Sequence, residues 1–220
     1  MSKKLIFLLA VLGTLLLTGC ESGSHIHIVN RSNHPLTYKL KRDHNWITIG
    51  ANSELTFSVD TATQSFLSGD VTEEVSLFMQ GETYQIYNYN TLGYTDSTRV
   101  TVQAGKTYNI YIDPNRASVK IINNSPRNIT KVDIFKHNGV TPMRLTTLEN
   151  IAPGESRNYH VNHSMPVDAG AEIWIPTPAT NFYYFAVLTD DEDNEYTYGS
   201  QDTVLYKDQQ FLINYTDVEK

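Results

Sequence analysis

Three stretches in the front half of this chain return in the same order in its back half, and this internal repeat limits the fold more than any other feature. Residues 25–37, HIHIVNRSNHPLT, lie over 118–130, SVKIINNSPRNIT, placing Ile28 on Ile121, Asn30 on Asn123, Ser32 on Ser125 and Thr37 on Thr130 without a gap. Residues 47–59 lie over 149–161, pairing Ile49 with Ile151, Phe57 with Tyr159 and Val59 with Val161. Residues 100–112 lie over 203–215, pairing Val102 with Leu205, Tyr108 with Phe211 and Ile110 with Ile213. The offset grows from 93 to 102 to 103, as it does when insertions fall in loops and strands keep their order.

Each copy reads as β-structure. Val100, Val102, Tyr108, Ile110 and Ile112 share one parity of a two-residue period, with a turn at Ala104-Gly105 between two short strands. Leu205, Phe211, Ile213 and Tyr215 repeat the pattern around Lys207-Asp208. Asn30-Arg31-Ser32-Asn33 and Asn123-Asn124-Ser125-Pro126 follow a first strand with residues whose side chains bond their own backbone. Asp113-Pro114-Asn115-Arg116 reads as a linker across which little pairs, since proline disfavours helix before it and brings no N–H. The expected fold is all-β: two tandem antiparallel β-sandwich domains of immunoglobulin or transthyretin type, over 25–113 and 114–220. Fourteen tyrosines suit strands. The single cysteine excludes an intramolecular disulfide, so apolar packing must hold both domains.

That cysteine ends the leader. Lys3 and Lys4 precede a 13-residue apolar run, Leu5 to Leu17, then Thr18, Gly19 and Cys20. These are the three parts of an export signal. As a helix the run spans about 20 Å at ~1.5 Å per residue, short of the ~30 Å of a bilayer core. Leu17-Thr18-Gly19-Cys20 resembles the lipobox of bacterial lipoproteins. The resemblance implies cleavage of 1–19, acylation of Cys20 and anchoring in the bilayer through two or more chains. Residues 20–24 would then form a short tether. Glu21 implies an outer-membrane destination if the host is Gram-negative.

Without 1–19 the chain has 15 Lys+Arg against 24 Asp+Glu, and its formal charge moves from −7 to −9. That balance argues against a nucleic-acid partner. The second copy also resembles a small β-sandwich module of many exported bacterial proteins. Ile122-Asn123-Asn124-Ser125, Ile129-Thr130-Lys131-Val132, Ala152-Pro153-Gly154-Glu155-Ser156 and Asp193-Asn194-Glu195-Tyr196 carry that likeness. Such modules share no one activity, so the likeness implies fold alone.

Two clusters are candidate sites. Tyr84, Tyr87, Tyr89 and Tyr94 stand close together in YQIYNYNTLGY and would form a ligand-binding face, joined by Phe182, Tyr183 and Tyr184. The competing reading is strand packing within a core poor in leucine. Asp190, Asp191, Asp193 and Glu195 crowd the stretch between two strand-like runs. Their hard oxygens suit Ca²⁺, but the EF-hand spacing is absent, and a solvated hairpin tip fits them better. His25 and His27, and His160 and His163, form two pairs lacking a third ligand for a transition metal. No nucleophile elbow, H-E-x-x-H or P-loop is present. The expected protein is therefore a non-enzymatic, lipid-anchored binding or assembly module of the cell envelope with an envelope-protein partner and no cofactor. A surface lipoprotein binding carbohydrate or a host ligand is the alternative.

Overall fold

The structure is a computed structural model that describes residues 23–41, 43, 45–61, 71–164 and 182–216. The leader and Cys20 lie outside the described residues. The chain divides into two compact units, one of residues up to Gln80 with Ile86–Asp113, the other of Gly81–Gln85 with Pro114 onward. Both are all-β.

In the first unit, β1 (Ser24–Asn30) lies between β4 (Glu54–Val59) and β9 (Thr107–Ile112). A four-stranded sheet runs in the order β3 (Ile47–Ile49), β2 (Leu36–Leu40), β5 (Thr72–Gly81), β8 (Ser97–Gln103). The hairpin of β6 (Ile86–Asn88) and β7 (Gly93–Thr95) stands apart from both sheets.

The second unit repeats the plan. β10 (Ala117–Asn123) lies between β13 (Ser156–Val161) and β16 (Gln210–Tyr215). The four-stranded sheet is β12 (Pro142–Ile151), β11 (Ile129–His137), β14 (Tyr183–Asp190), β15 (Glu195–Tyr198). Its core is closed between the sheets by Val119, Ile121 and Ile213 from one and Val132, Ile134, Tyr184 and Leu188 from the other.

The aligned residues occupy matching register positions. Ile26 faces Phe57 and Tyr108, while Val119 faces Tyr159 and Phe211. The Asn-x-Ser turn is the same device twice. Asn30 is buried, donates its amide to the carbonyls of His34 and Gly50, and accepts from the Ser32 N–H. Asn123 donates to Arg127 and Ile151 and accepts from Ser125. Each amide thus satisfies backbone groups that a turn would leave buried and bare.

Three details differ from the sequence reading. In each unit one pair is parallel, β1 with β9 and β10 with β16. The final strand returns from the other sheet instead of folding back on its neighbour, so it arrives running with the first strand. Residues 203–206 form no strand, although Leu205 is buried. β15 already holds the edge beside β14, and these residues carry the chain across to β16.

Residues 113–116 are well paired. Asn115 and Arg116 both donate backbone N–H to the Thr83 carbonyl, and Asn115 exchanges side-chain bonds with Gln85. Within the second unit, segment 81–85 lies against β10, β13 and β16. The Glu82 carboxylate binds Lys120 Nζ at 2.5 Å and Gln210 Nε2 at 2.8 Å. The Glu82 carbonyl accepts from Asn158, and the Gly81 carbonyl meets His160 Nε2 at 2.6 Å.

Candidate functional site

The four candidate tyrosines separate. Tyr84 is half-buried in the segment that belongs to the second unit. Tyr87, Tyr89 and Tyr94 gather on the β6–β7 hairpin of the first. Tyr87 sits directly across from Tyr94 in the ladder, and their ring centroids are 5.4 Å apart at 72°. Tyr89 meets Tyr87 at 5.0 Å and 82°. Tyr87 is thus edge-on to both neighbours, a favoured aromatic geometry, and does not extend a coplanar stacking floor with either.

The hairpin follows from its turn. Asn88 Oδ1 accepts from the N–H groups of Asn90 and Thr91, an Asx-type turn that reverses the chain after β6. Leu92 completes the reversal at φ +51°, a left-handed conformation rare for a branched residue. Sequence reasoning passed over Leu92. Its signal was a large aliphatic residue beside Asn90 and Thr91, where a turn favours polar residues. Tyr89 is 82% exposed and Leu92 76%, so the hairpin presents an apolar tip to solvent.

Phe182 and Tyr184 do not join a surface. They are core residues of the second unit, and the Tyr184 hydroxyl donates to the Asn162 carbonyl at 2.5 Å. Inward parity on β14 decides this. Tyr183, on the opposite parity, stacks on His137 at 4.8 Å.

The acidic stretch is the turn between β14 and β15, and its carboxylates do separate tasks. Asp190 is fully buried. One oxygen accepts the N–H groups of Glu192 and Asn194, and the other the Asn194 amide and the Tyr215 hydroxyl. Burial pushes this carboxyl up, but the bonds from Asn194, Glu192 and Tyr215 outweigh it and hold the value down at about 2. Burial, with the bonds to Tyr196 and Asp190, raises the Tyr215 hydroxyl. Asp191 accepts from the Asn128 N–H, and Glu192 pairs with Arg127. Asp193 provides the left-handed turn residue at φ +62°, and Glu195 is exposed on β15. Among the described residues no group of three His, Cys, Asp or Glu side chains could hold a metal ion.

The histidines are dispersed too. His27 bonds Thr56 and lies 3.5 Å from Glu54, whereas His163 meets the Ser164 carbonyl.

No protein-family profile matches the chain, and no curated protein matches it. Solved structures resemble it weakly. The TIE protein of Bacillus anthracis is 9% identical over 90% of this chain, with a TM-score of 0.27, and this chain spans 33% of its length. A DUF3823 family protein from Bacteroides ovatus is 14% identical over 86% of this chain and 99% of its own, with a TM-score of 0.23. GBS52, the minor pilin of Streptococcus agalactiae, is 10% identical over 90% of this chain and 97% of its own, with a TM-score of 0.25. At these values none bears on what this chain binds.

Proposed function

We propose that this chain is a bacterial envelope lipoprotein, anchored through acyl chains on Cys20, that acts without catalysis by presenting the β6–β7 hairpin to an envelope-protein partner. The observation that carries the reading is the exposed apolar tip of Tyr87, Tyr89, Leu92 and Tyr94. Large, rigid aromatic groups supply much contact area at low entropic cost, and they dominate protein-binding hot spots. The strained Leu92 supports it further, since left-handed branched residues gather at functional turns. The leader and lipobox-like Leu17-Thr18-Gly19-Cys20 support the anchor.

The test is affinity capture of the tagged full chain from detergent-solubilised membranes, with metabolic labelling by radioactive palmitate. A partner should co-purify near stoichiometrically with the wild type and be lost with the double variant Tyr89→Ala, Leu92→Ser, whose Tm stays unchanged. Label should be absent from Cys20→Ala. Equal capture by the hairpin variant refutes the docking surface, and labelled Cys20→Ala refutes the anchor. If the wild type captures nothing but binds a glycan array, the carbohydrate reading replaces this one.

A further inference from the structure

The loop between β11 and β12 carries the single Asn-Gly pair of the sequence, Asn138-Gly139. Both residues are exposed. The histidine that precedes them turns its ring onto the pair, and the Gly139 N–H donates to His137 Nδ1 at 2.8 Å. A backbone N–H can only donate, so Nδ1 offers its lone pair and the ring proton sits on Nε2. Tyr183, stacked on the imidazole at 4.8 Å and 22°, holds that ring in place.

The Asn138 side chain is met from its other end. Its Oδ1 accepts the N–H groups of Val140 at 3.2 Å and Thr141 at 3.4 Å. Donors on this oxygen draw electron density from Cγ and stabilise any negative charge that forms there. Gly139 has φ +92°, and apart from its chain neighbours none of the described residues lies within 4 Å of where a Cβ would sit. Its nitrogen is therefore open to attack on a neighbouring carbon. A base, a nucleophilic nitrogen and two donors surround one side-chain amide. Asn88 has only part of this set. Its Oδ1 accepts from the Asn90 and Thr91 N–H groups in the same way, but Tyr87 stands in the place of the histidine and Tyr89 in that of the glycine.

We propose that Asn138 is a deamidation site whose reaction the fold itself promotes, with His137 as general base. His137 Nδ1 takes the Gly139 amide proton as that nitrogen bonds to Asn138 Cγ, and the charge passing to Oδ1 is met by the Val140 and Thr141 N–H groups. The imidazolium returns the proton to the departing nitrogen, the Cγ–Nδ2 bond breaks, and ammonia leaves a cyclic succinimide. Water opens the ring at either carbonyl and gives aspartate or isoaspartate. The sum is one water consumed and one ammonia released. Either product adds a negative charge to the β11–β12 loop, and isoaspartate also lengthens its backbone by one carbon. This site is separate from the tyrosine hairpin and stands or falls independently of it.

The test is a time course of the full chain in detergent at neutral pH, with the Tm of every variant measured alongside. Trypsin cuts after Lys136 and Arg144 and releases HNGVTPMR, residues 137–144. Mass spectrometry follows its asparagine, with electron-transfer fragmentation separating isoaspartate from aspartate, and a chymotryptic digest reads Asn88. Asn138 should convert at least about 10-fold faster than Asn88. His137→Phe, which keeps a ring against Tyr183, and His137→Gln, which keeps an acceptor for the Gly139 N–H, should each slow the conversion at least about 10-fold. The direction separates catalysis from restraint, because a histidine that only tied down the loop would, once removed, free it and speed the reaction. Unchanged or faster conversion in whichever variant keeps the wild-type Tm overturns the proposal. So does an Asn138 that converts no faster than Asn88.

Discussion

Replacing Asp190 by Asn removes one negative charge and almost no volume, so it isolates what the buried carboxylate does. Its two oxygens receive bonds of 2.9 Å from each of the Glu192 and Asn194 N–H groups, 3.0 Å from the Asn194 amide and 3.1 Å from the Tyr215 hydroxyl. An asparagine keeps one acceptor oxygen and turns the other position into an N–H₂, which must face the Tyr215 hydroxyl and the Asn194 amide. Losing charge-assisted bonds and leaving a buried donor unpaired should cost about 2–4 kcal/mol. For a unit of this size that lowers Tm by roughly 10–20 °C.

The pH dependence gives an independent check. The folded value of about 2 lies below the ordinary 3.8, so the unfolded chain takes up this proton first as pH falls. The stabilisation is complete above about pH 5 and disappears as pH drops from about 4 through 2; it amounts to about 2 kcal/mol. The gap between wild type and Asp190→Asn should therefore narrow by about 1 kcal/mol between pH 6 and pH 3 and by about 2 by pH 2. Scanning calorimetry, with amide exchange reporting β10–β16 separately, measures both quantities. A variant within 0.5 kcal/mol of wild type at pH 6, or a gap that ignores pH, refutes the assignment of Asp190 as the bonded anchor of this turn.

Two further predictions concern the repeat and its edge. Asn30→Ala strips two donated bonds and an accepted one from a buried turn, Asn123→Ala two donated and two accepted, and each should lower the stability of its own unit by about 2–4 kcal/mol. The reading fails if either change leaves amide-exchange protection in its unit unaltered. Gly199 has φ +91°, and a Cβ there would lie 2.7 Å from the Tyr184 carbonyl oxygen. Gly199→Ala should therefore destabilise the second unit by about 2 kcal/mol or more, visible as a drop in its Tm.

Much of this was legible in the residues because it depends on short-range rules. Side-chain alternation placed Tyr108, Ile110 and Ile112 on β9, and the local bonding of Asn30 and Asn123 marked the turns. The recurrence of both in order revealed two copies of one all-β unit. Those signals need only neighbours in sequence, since a strand alternates its side chains wherever it pairs. Partner choice is another matter. Nothing in residues 24–30 or 107–112 says that these strands run parallel, or that Leu205 is buried without a strand around it. Glu82 looks like a loop acid until Lys120 and Gln210 arrive from far along the chain. Tyr184 looks like Tyr183, but one fills a core and the other lies on a sheet face. Asp190 reads as a solvated acid beside Asp191, yet the fold buries it under Tyr215. The sequence by itself determined the class of fold, its duplication and its turns, because these follow from periodicity and local hydrogen bonding. Only the tertiary structure decided which tyrosines reach solvent and which acids are buried, because burial depends on residues brought together from distant parts of the chain.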